Sequence, residues 1–119
     1  MALVPTLTIS DTTTFSDAIN FSVTDSLTVA TPAQSLSTIA CATAGANSII
    51  VPASSSGCYL FVRHTANLSN VVLVENTDDT QFANLKAGEW MFLPHLSGSL
   101  GVQVQSAAAV VIEYAYWTI

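Results

Sequence analysis

The sequence predicts an all-β protein: a single antiparallel β-sandwich of jelly-roll type, built from about ten short strands. Three observations lead there. Apolar and polar residues alternate with period two along most of the chain, and no segment carries a helical stripe. Clusters of Gly, Asn, Asp and Ser punctuate the alternation at short intervals. Half of the 119 residues are hydrophobic, yet no run approaches the roughly 20 apolar residues of a membrane-spanning helix.

The candidate strands follow in order. Residues 3–9 form the first. Ile19, Phe21 and Val23 then alternate with Asn20, Ser22 and Thr24, and after Asp25-Ser26 the pattern resumes with Leu27 and Val29. This reads as a half-buried strand, a short turn and another strand. The stretch 30–36 is expected to be a longer crossover loop. Further strands are expected at 38–42, 48–51, 59–65, 71–76, 81–85, 90–93, 100–105 and 110–119. Turn chemistry lies between them at 45–47, 54–57, 76–79, 86–88 and 97–99. Pro5, Pro32, Pro52 and Pro94 are expected at strand ends or on edges, where a missing ladder donor is tolerated. In the last strand Val110, Ile112, Tyr114 and Tyr116 make one face, and Val111, Ala115, Trp117 and Ile119 make the other apolar except for Glu113. A strand apolar on both faces is expected at the centre of its sheet, at a subunit contact, or both.

Composition restricts the functions available. Only 8% of the residues are charged, against about 25% in an ordinary soluble domain. Polarity comes instead from 14 Ser and 14 Thr. Without surface charge to keep copies apart, an oligomer or lattice is expected rather than a free monomer. The net charge of -6 rests on Asp11, Asp17, Asp25, Glu75, Asp78, Asp79, Glu89 and Glu113 against Arg63 and Lys86. With no cluster of cations, nucleic acid is excluded as a partner. The first residues lack the charged and apolar regions of a signal peptide, and no membrane partner is expected. Without such a signal, Cys41 and Cys58 are expected as two buried thiols rather than a disulfide.

Catalytic and metal chemistry find little support. His64 lies among Leu60 and Val62 and is expected to be a hydrogen-bonded structural imidazole, and His95 a loop residue after Pro94. Asp78, Asp79 and Glu75 offer oxygens that a calcium ion favours. Their spacing is not that of an EF-hand, so a solvated hairpin tip with Asx capping is the stronger reading. No serine lies in G-x-S-x-G or S-x-x-K, and no phosphate or dinucleotide loop is present. No enzyme activity, cofactor or metal is therefore expected. Trp90, Phe92, Tyr114, Tyr116 and Trp117 fall in alternating strands, where core or interface packing explains them better than a carbohydrate platform.

The order Tyr59-Leu60-Phe61-Val62-Arg63, Val72-Leu73-Val74-Glu75-Asn76-Thr77-Asp78, Leu85-Lys86-Ala87-Gly88-Glu89-Trp90-Met91-Phe92-Leu93-Pro94 and Val111-Ile112-Glu113-Tyr114 resembles small virion structural proteins of tailed bacteriophages. In these a strand leads to an NxD hairpin, an LKAGE turn precedes an apolar strand, and an IEY-like strand closes the chain. The resemblance covers residues 59–119. It implies a β-sandwich subunit, assembled in the bacterial cytoplasm and carried in the virion, with the major capsid protein or other virion proteins as partners.

Together these readings predict an extended arm over 1–14 and a β-sandwich domain over 15–119. The expected role is that of a capsid cement or decoration protein, forming a homotrimer or surface lattice contact. Its contacts are expected from Val111, Ala115, Trp117 and Ile119, and from Leu7 and Ile9 on the arm, whose Thr-rich stretch suits strand addition to a neighbour. The alternative is a tail, baseplate or fibre-attachment module that binds a host glycan or adapts a fibre to the tail.

Overall fold

A computed structural model of the chain describes residues 2–10, 20–30, 32–41, 47–53, 57–96 and 101–119, with backbone alone for 32–35 and 94–96. Within them all the regular structure is β, and the chain divides into two compact units, Met1–Ala30 and Thr31–Ile119.

The described residues of the first unit form a two-stranded ribbon. Strands β1 (Ala2–Leu3) and β2 (Thr6–Ser10) run antiparallel to β4 (Leu27–Thr28) and β3 (Asn20–Thr24). Ala2 pairs with Thr28, Leu3 with Leu27, Thr6 with Thr24, and the ladder continues to Ser10 with Asn20. The paired residue numbers have the same sum throughout, so one register crosses the gap between β1 and β2. The gap has a local cause: Pro5 carries no N–H and cannot donate to the ladder. Its carbonyl still accepts a hydrogen bond from the Asp25 N–H at 3.1 Å. Asp25-Ser26 is therefore an interruption facing Val4-Pro5 within one ladder, and not the short turn expected from sequence. The unit takes in the segment 1–14 expected as an arm and extends to Ala30. Residues 11–14 of that arm lie outside the described residues.

Among the described residues the second unit holds eight strands: β5 (Pro32–Ala40), β6 (Ser48–Val51), β7 (Cys58–His64), β8 (Val72–Asn76), β9 (Gln81–Leu85), β10 (Trp90–Leu96), β11 (Val102–Gln105) and β12 (Val111–Thr118). They make two four-stranded sheets with orders β10-β7-β12-β5 and β6-β11-β8-β9, and every pairing is antiparallel. Apart from the β8–β9 hairpin, each connection passes from one sheet to the other. This order is that of a jelly roll, an architecture of two Greek keys.

Sequence-expected strand positions hold closely from β6 onward, and two edge strands run longer than expected. The stretch 30–36 is not a loop, because β5 begins at Pro32 and pairs with β12 through two register shifts. Pro32 fits there because it is the first residue of an edge strand. Strand β10 likewise continues past Pro94 to Leu96 on the opposite edge of the same sheet, across a register shift between Leu93 and Leu96. Of the expected turns, residues 45–46, 54–56 and 97–99 lie outside the described residues.

Alternation fills the space between the sheets. Leu60, Val62, Ile112 and Tyr114 from one sheet meet Ile50, Val51, Val72, Val74, Leu85, Val102 and Val104 from the other in a single buried cluster. Burying such side chains stabilises the fold by about 1.5–3 kcal/mol each. Cys41 and Cys58 join the cluster as free thiols. Burial pushes the Cys41 thiol up to about 11 and raises that of Cys58 too, so both stay protonated and unreactive at neutral pH. Gly101 is required by close approach. A Cβ on it would lie 2.3 Å from the Val51 carbonyl oxygen and 3.0 Å from the Ala53 nitrogen.

Candidate assembly surfaces

The ribbon of the first unit has two unlike faces, because side chains alternate across a strand. Residues of even number supply Ala2, Val4 and then hydroxyls, which bond across the ladder. Thr6 Oγ1 lies 2.7 Å from Thr24 Oγ1, and Thr8 Oγ1 lies 3.1 Å from Ser22 Oγ. Residues of odd number put Leu7 opposite Val23 and Ile9 opposite Phe21. The β-branched Ile9 and Val23 and the aromatic Phe21 favour the strand conformation, but the alternation buries none of the four. Leu7, Ile9, Phe21 and Val23 are 38, 41, 45 and 54% exposed. Strand β3 is thus exposed along its whole length and is not the half-buried strand expected. No ionisable side chain occurs in 2–10 or 20–24.

A second surface is the outer face of the β10-β7-β12-β5 sheet. The register sets its residues in rows: Trp90, Arg63, Glu113 and Thr38 in one, then Phe92, Phe61 and Ala115, then Tyr59 and Trp117. The Tyr59 and Phe92 rings stack at 5° with centroids 6.3 Å apart, within the range of favourable aromatic pairs. Arg63 Nη1 stands 3.8 Å from Glu113 Oε2. So exposed a pair adds about 1 kcal/mol at most. Trp90 is the most prominent feature, 55% exposed. It borders two open hollows, one of about 460 Å³ with Phe61, Arg63 and Gly88, the other of about 480 Å³ with Asn84, Glu89 and Met91 among its walls. Gly88 shapes both, holding the left-handed conformation at φ 84° that closes the turn before β10.

The expected contact residues of β12 fall on this face, opposite the buried Ile112 and Tyr114, and β12 occupies a central position in its sheet. They are not equally accessible. Ala115 is buried beside Phe61, Val111 and Trp117 are half-buried, and Ile119, beyond the strand end, is exposed. Besides Ile119, the readily accessible apolar groups are Trp90 and Leu36, the latter at the β5 irregularity. Neither of the two was among the contact residues expected from sequence. The sequence reading of Trp90 is core or interface packing, with a carbohydrate platform as the weaker option.

A third surface, on the other sheet, is polar. Glu75 is nearly buried, and its Oε1 accepts hydrogen bonds from Gln103 Nε2 at 3.0 Å and Gln105 Nε2 at 2.9 Å. Gln103 Nε2 also donates to Asp79 Oδ1 at 2.8 Å, and Asn47 Nδ2 reaches the same oxygen at 3.0 Å. Two of the three acidic groups considered for calcium, Glu75 and Asp79, are therefore engaged by amide donors. At the β8–β9 tip Asn76 Oδ1 accepts from the Asp78 and Thr80 N–H groups, an Asx cap of the kind expected. Among the described residues no group of three His, Cys, Asp or Glu side chains could hold a metal ion.

His64 is fully buried. Its Nδ1 accepts from the Ala66 N–H at 2.9 Å, which leaves the proton on Nε2 to be donated to the Asn70 carbonyl at 2.8 Å. Both ring nitrogens are used in holding the 65–70 loop, as expected of a structural imidazole. The His95 side chain lies outside the described residues. The chain matches no family model, no curated protein and no solved structure.

Proposed function

We propose that this chain is a non-enzymatic structural subunit of a tailed-bacteriophage particle, a cement or decoration protein that reinforces the shell by binding the major capsid protein. It assembles in the bacterial cytoplasm and resides in the virion. The observation that carries the reading is the ribbon formed by residues 2–10 and 20–28, on which Leu7, Ile9, Phe21 and Val23 stay open to water in the single chain. Such a face is satisfied only when another protein covers it. The jelly roll supports the same reading by analogy of fold, since capsid and lectin domains share it. The resemblance over residues 59–119 supports it independently. Ser and Thr can line contacts between subunits without the desolvation cost of buried charge.

The test is mass spectrometry of purified particles, counting this chain against the major capsid protein, with cryo-electron microscopy to locate it. Hundreds of copies on the shell are expected. Absence from the particle would overturn the proposal.

A second reading, a tail or fibre module that binds a host glycan, is favoured by Trp90. An exposed indole offers a sugar ring a flat apolar face, and Arg63, Asn84 and Glu89 supply polar groups around it. Saturable binding on a glycan array that disappears in Trp90→Ala, with a few tens of copies at the tail, would move the assignment there.

A further inference from the structure

We infer that the sheet face around Trp90 is a binding site for an acidic oligosaccharide, with one sugar ring stacked on the Trp90 indole and its carboxylate held by Arg63. This deepens the glycan reading, on which it rests, by assigning the ligand a negative charge. Trp90 is 55% exposed and borders two hollows of about 460 and 480 Å³, each within the ~300–1,000 Å³ of small-ligand clefts. Both hollows also border Gly88. A Cβ on Gly88 would meet nothing within 4 Å, so the space above it is open, and a chain of two or more rings can pass along the indole from one hollow to the other. A sugar ring is amphipathic in the way this surface requires, because its C–H face matches an aromatic face and its rim carries groups that hydrogen-bond.

Charge sets the class of sugar. The net charge is -6 and the chain has only two cationic residues, Arg63 and Lys86, yet both adjoin Trp90. Arg63 is its ladder partner on β7. Lys86 opens the turn that precedes it, its carbonyl accepting from the Glu89 N–H at 2.9 Å. Arg63 is the underused group. Its side chain is half exposed, and its one partner among the described residues is Glu113 at 3.8 Å, beyond hydrogen-bond reach. The five N–H donors of a guanidinium form a fork that grips a carboxylate in bidentate fashion. The acid nearest in sequence to Trp90 is already engaged, since Glu89 Oε2 accepts from the Lys86 N–H at 2.7 Å. Donors for an anion are thus in excess on the Arg63 side, while Asn84 and Glu89 in the second hollow suit the hydroxyls of the next ring.

The test is a glycan array probed with the full-length protein, on which sialylated and uronate oligosaccharides are each printed beside the methyl ester of the same sugar. The ester keeps ring and length and removes only the charge. The acids should bind about tenfold more tightly than their esters, the difference made by one charge-assisted pairing. Arg63→Gln should bring that ratio to about one, and Trp90→Ala should abolish binding of acid and ester alike. Both side chains are half exposed or more, so the two variants should melt close to the native protein. Glu113→Gln removes the carboxylate that competes for Arg63 and should tighten the acids by up to about fivefold; weaker binding by that variant would overturn the inference. Esters bound as well as acids would also overturn it and leave the glycan reading standing, whereas an array on which nothing binds would remove both. The shell proposal is decided separately, by copy number in the particle.

Discussion

Replacing His64 by Leu tests whether the imidazole is structural. Leucine is of similar size and fills the site, so the cavity cost is small, but it can neither accept from the Ala66 N–H nor donate to the Asn70 carbonyl. Each partner left unsatisfied in a place water cannot reach costs about 1–3 kcal/mol. Ala66 adds to the effect because it sits in the left-handed region at φ 63°, a conformation an alanine holds only when its surroundings impose it. The substitution should therefore remove about 2–5 kcal/mol in all, a large share of the roughly 5–15 kcal/mol that holds a domain folded. In urea at a fixed protein concentration, the midpoint should fall by about 1–2 M with little change of slope, on slopes of 1–3 kcal/mol/M. Hydrogen exchange of the Ala66 amide should accelerate in parallel. A loss below about 1 kcal/mol with that amide as protected as before would refute the reasoning.

Other expectations follow from single contacts. Gly101→Ala places a methyl group against the Val51 carbonyl and the Ala53 nitrogen, both backbone atoms that cannot swing away, and thermal denaturation should show a loss of about 2–3 kcal/mol. Asn76→Ala removes the acceptor of two tip N–H groups and should cost about 1–2 kcal/mol by the same assay, with the β8–β9 hairpin preserved. The folded Cys41 thiol ionises near 11 rather than 9.0, so the unfolded chain loses that proton first. The stability this group contributes is complete below pH 9 and is lost as pH rises towards 11, by about 2 kcal/mol. Denaturant titrations at pH 8 and pH 10.5 should show a steeper fall for the native protein than for Cys41→Ala.

Much of the sandwich was legible because its strands are short, alternate strictly and end on small or Asx residues. Ser48–Val51 and Gln81–Leu85 coincide with their sequence limits, and the inward set Val110, Ile112 and Tyr114 followed from parity alone. Where pairing decides the outcome, local pattern was silent. The stretch 30–36 looked like a loop until β12 supplied β5 with a partner along a sheet edge. Asp25-Ser26 looked like a turn because nothing in its own neighbourhood shows that Val4-Pro5 faces it. Glu75, Gln103 and Gln105 are unremarkable polar positions until the register of β8 against β11 sets them side by side. Trp90 and Trp117 share a face only because β7 lies between their strands. Burial was the least legible property of all: β3 alternates as cleanly as β7, yet one strand is fully exposed and the other lines the core.

The unbroken register of the ribbon limits how such a chain can change over evolutionary time. Ordinary surface loops absorb insertions and deletions readily, but one residue gained or lost within 2–10 or 20–28 would turn every later side chain of that strand to the opposite face. Leucines would then stand among the threonines, and the two faces would lose their separate characters together. Length variation in descendants of this sequence should accordingly fall outside the paired positions, or arrive as matched changes in both strands.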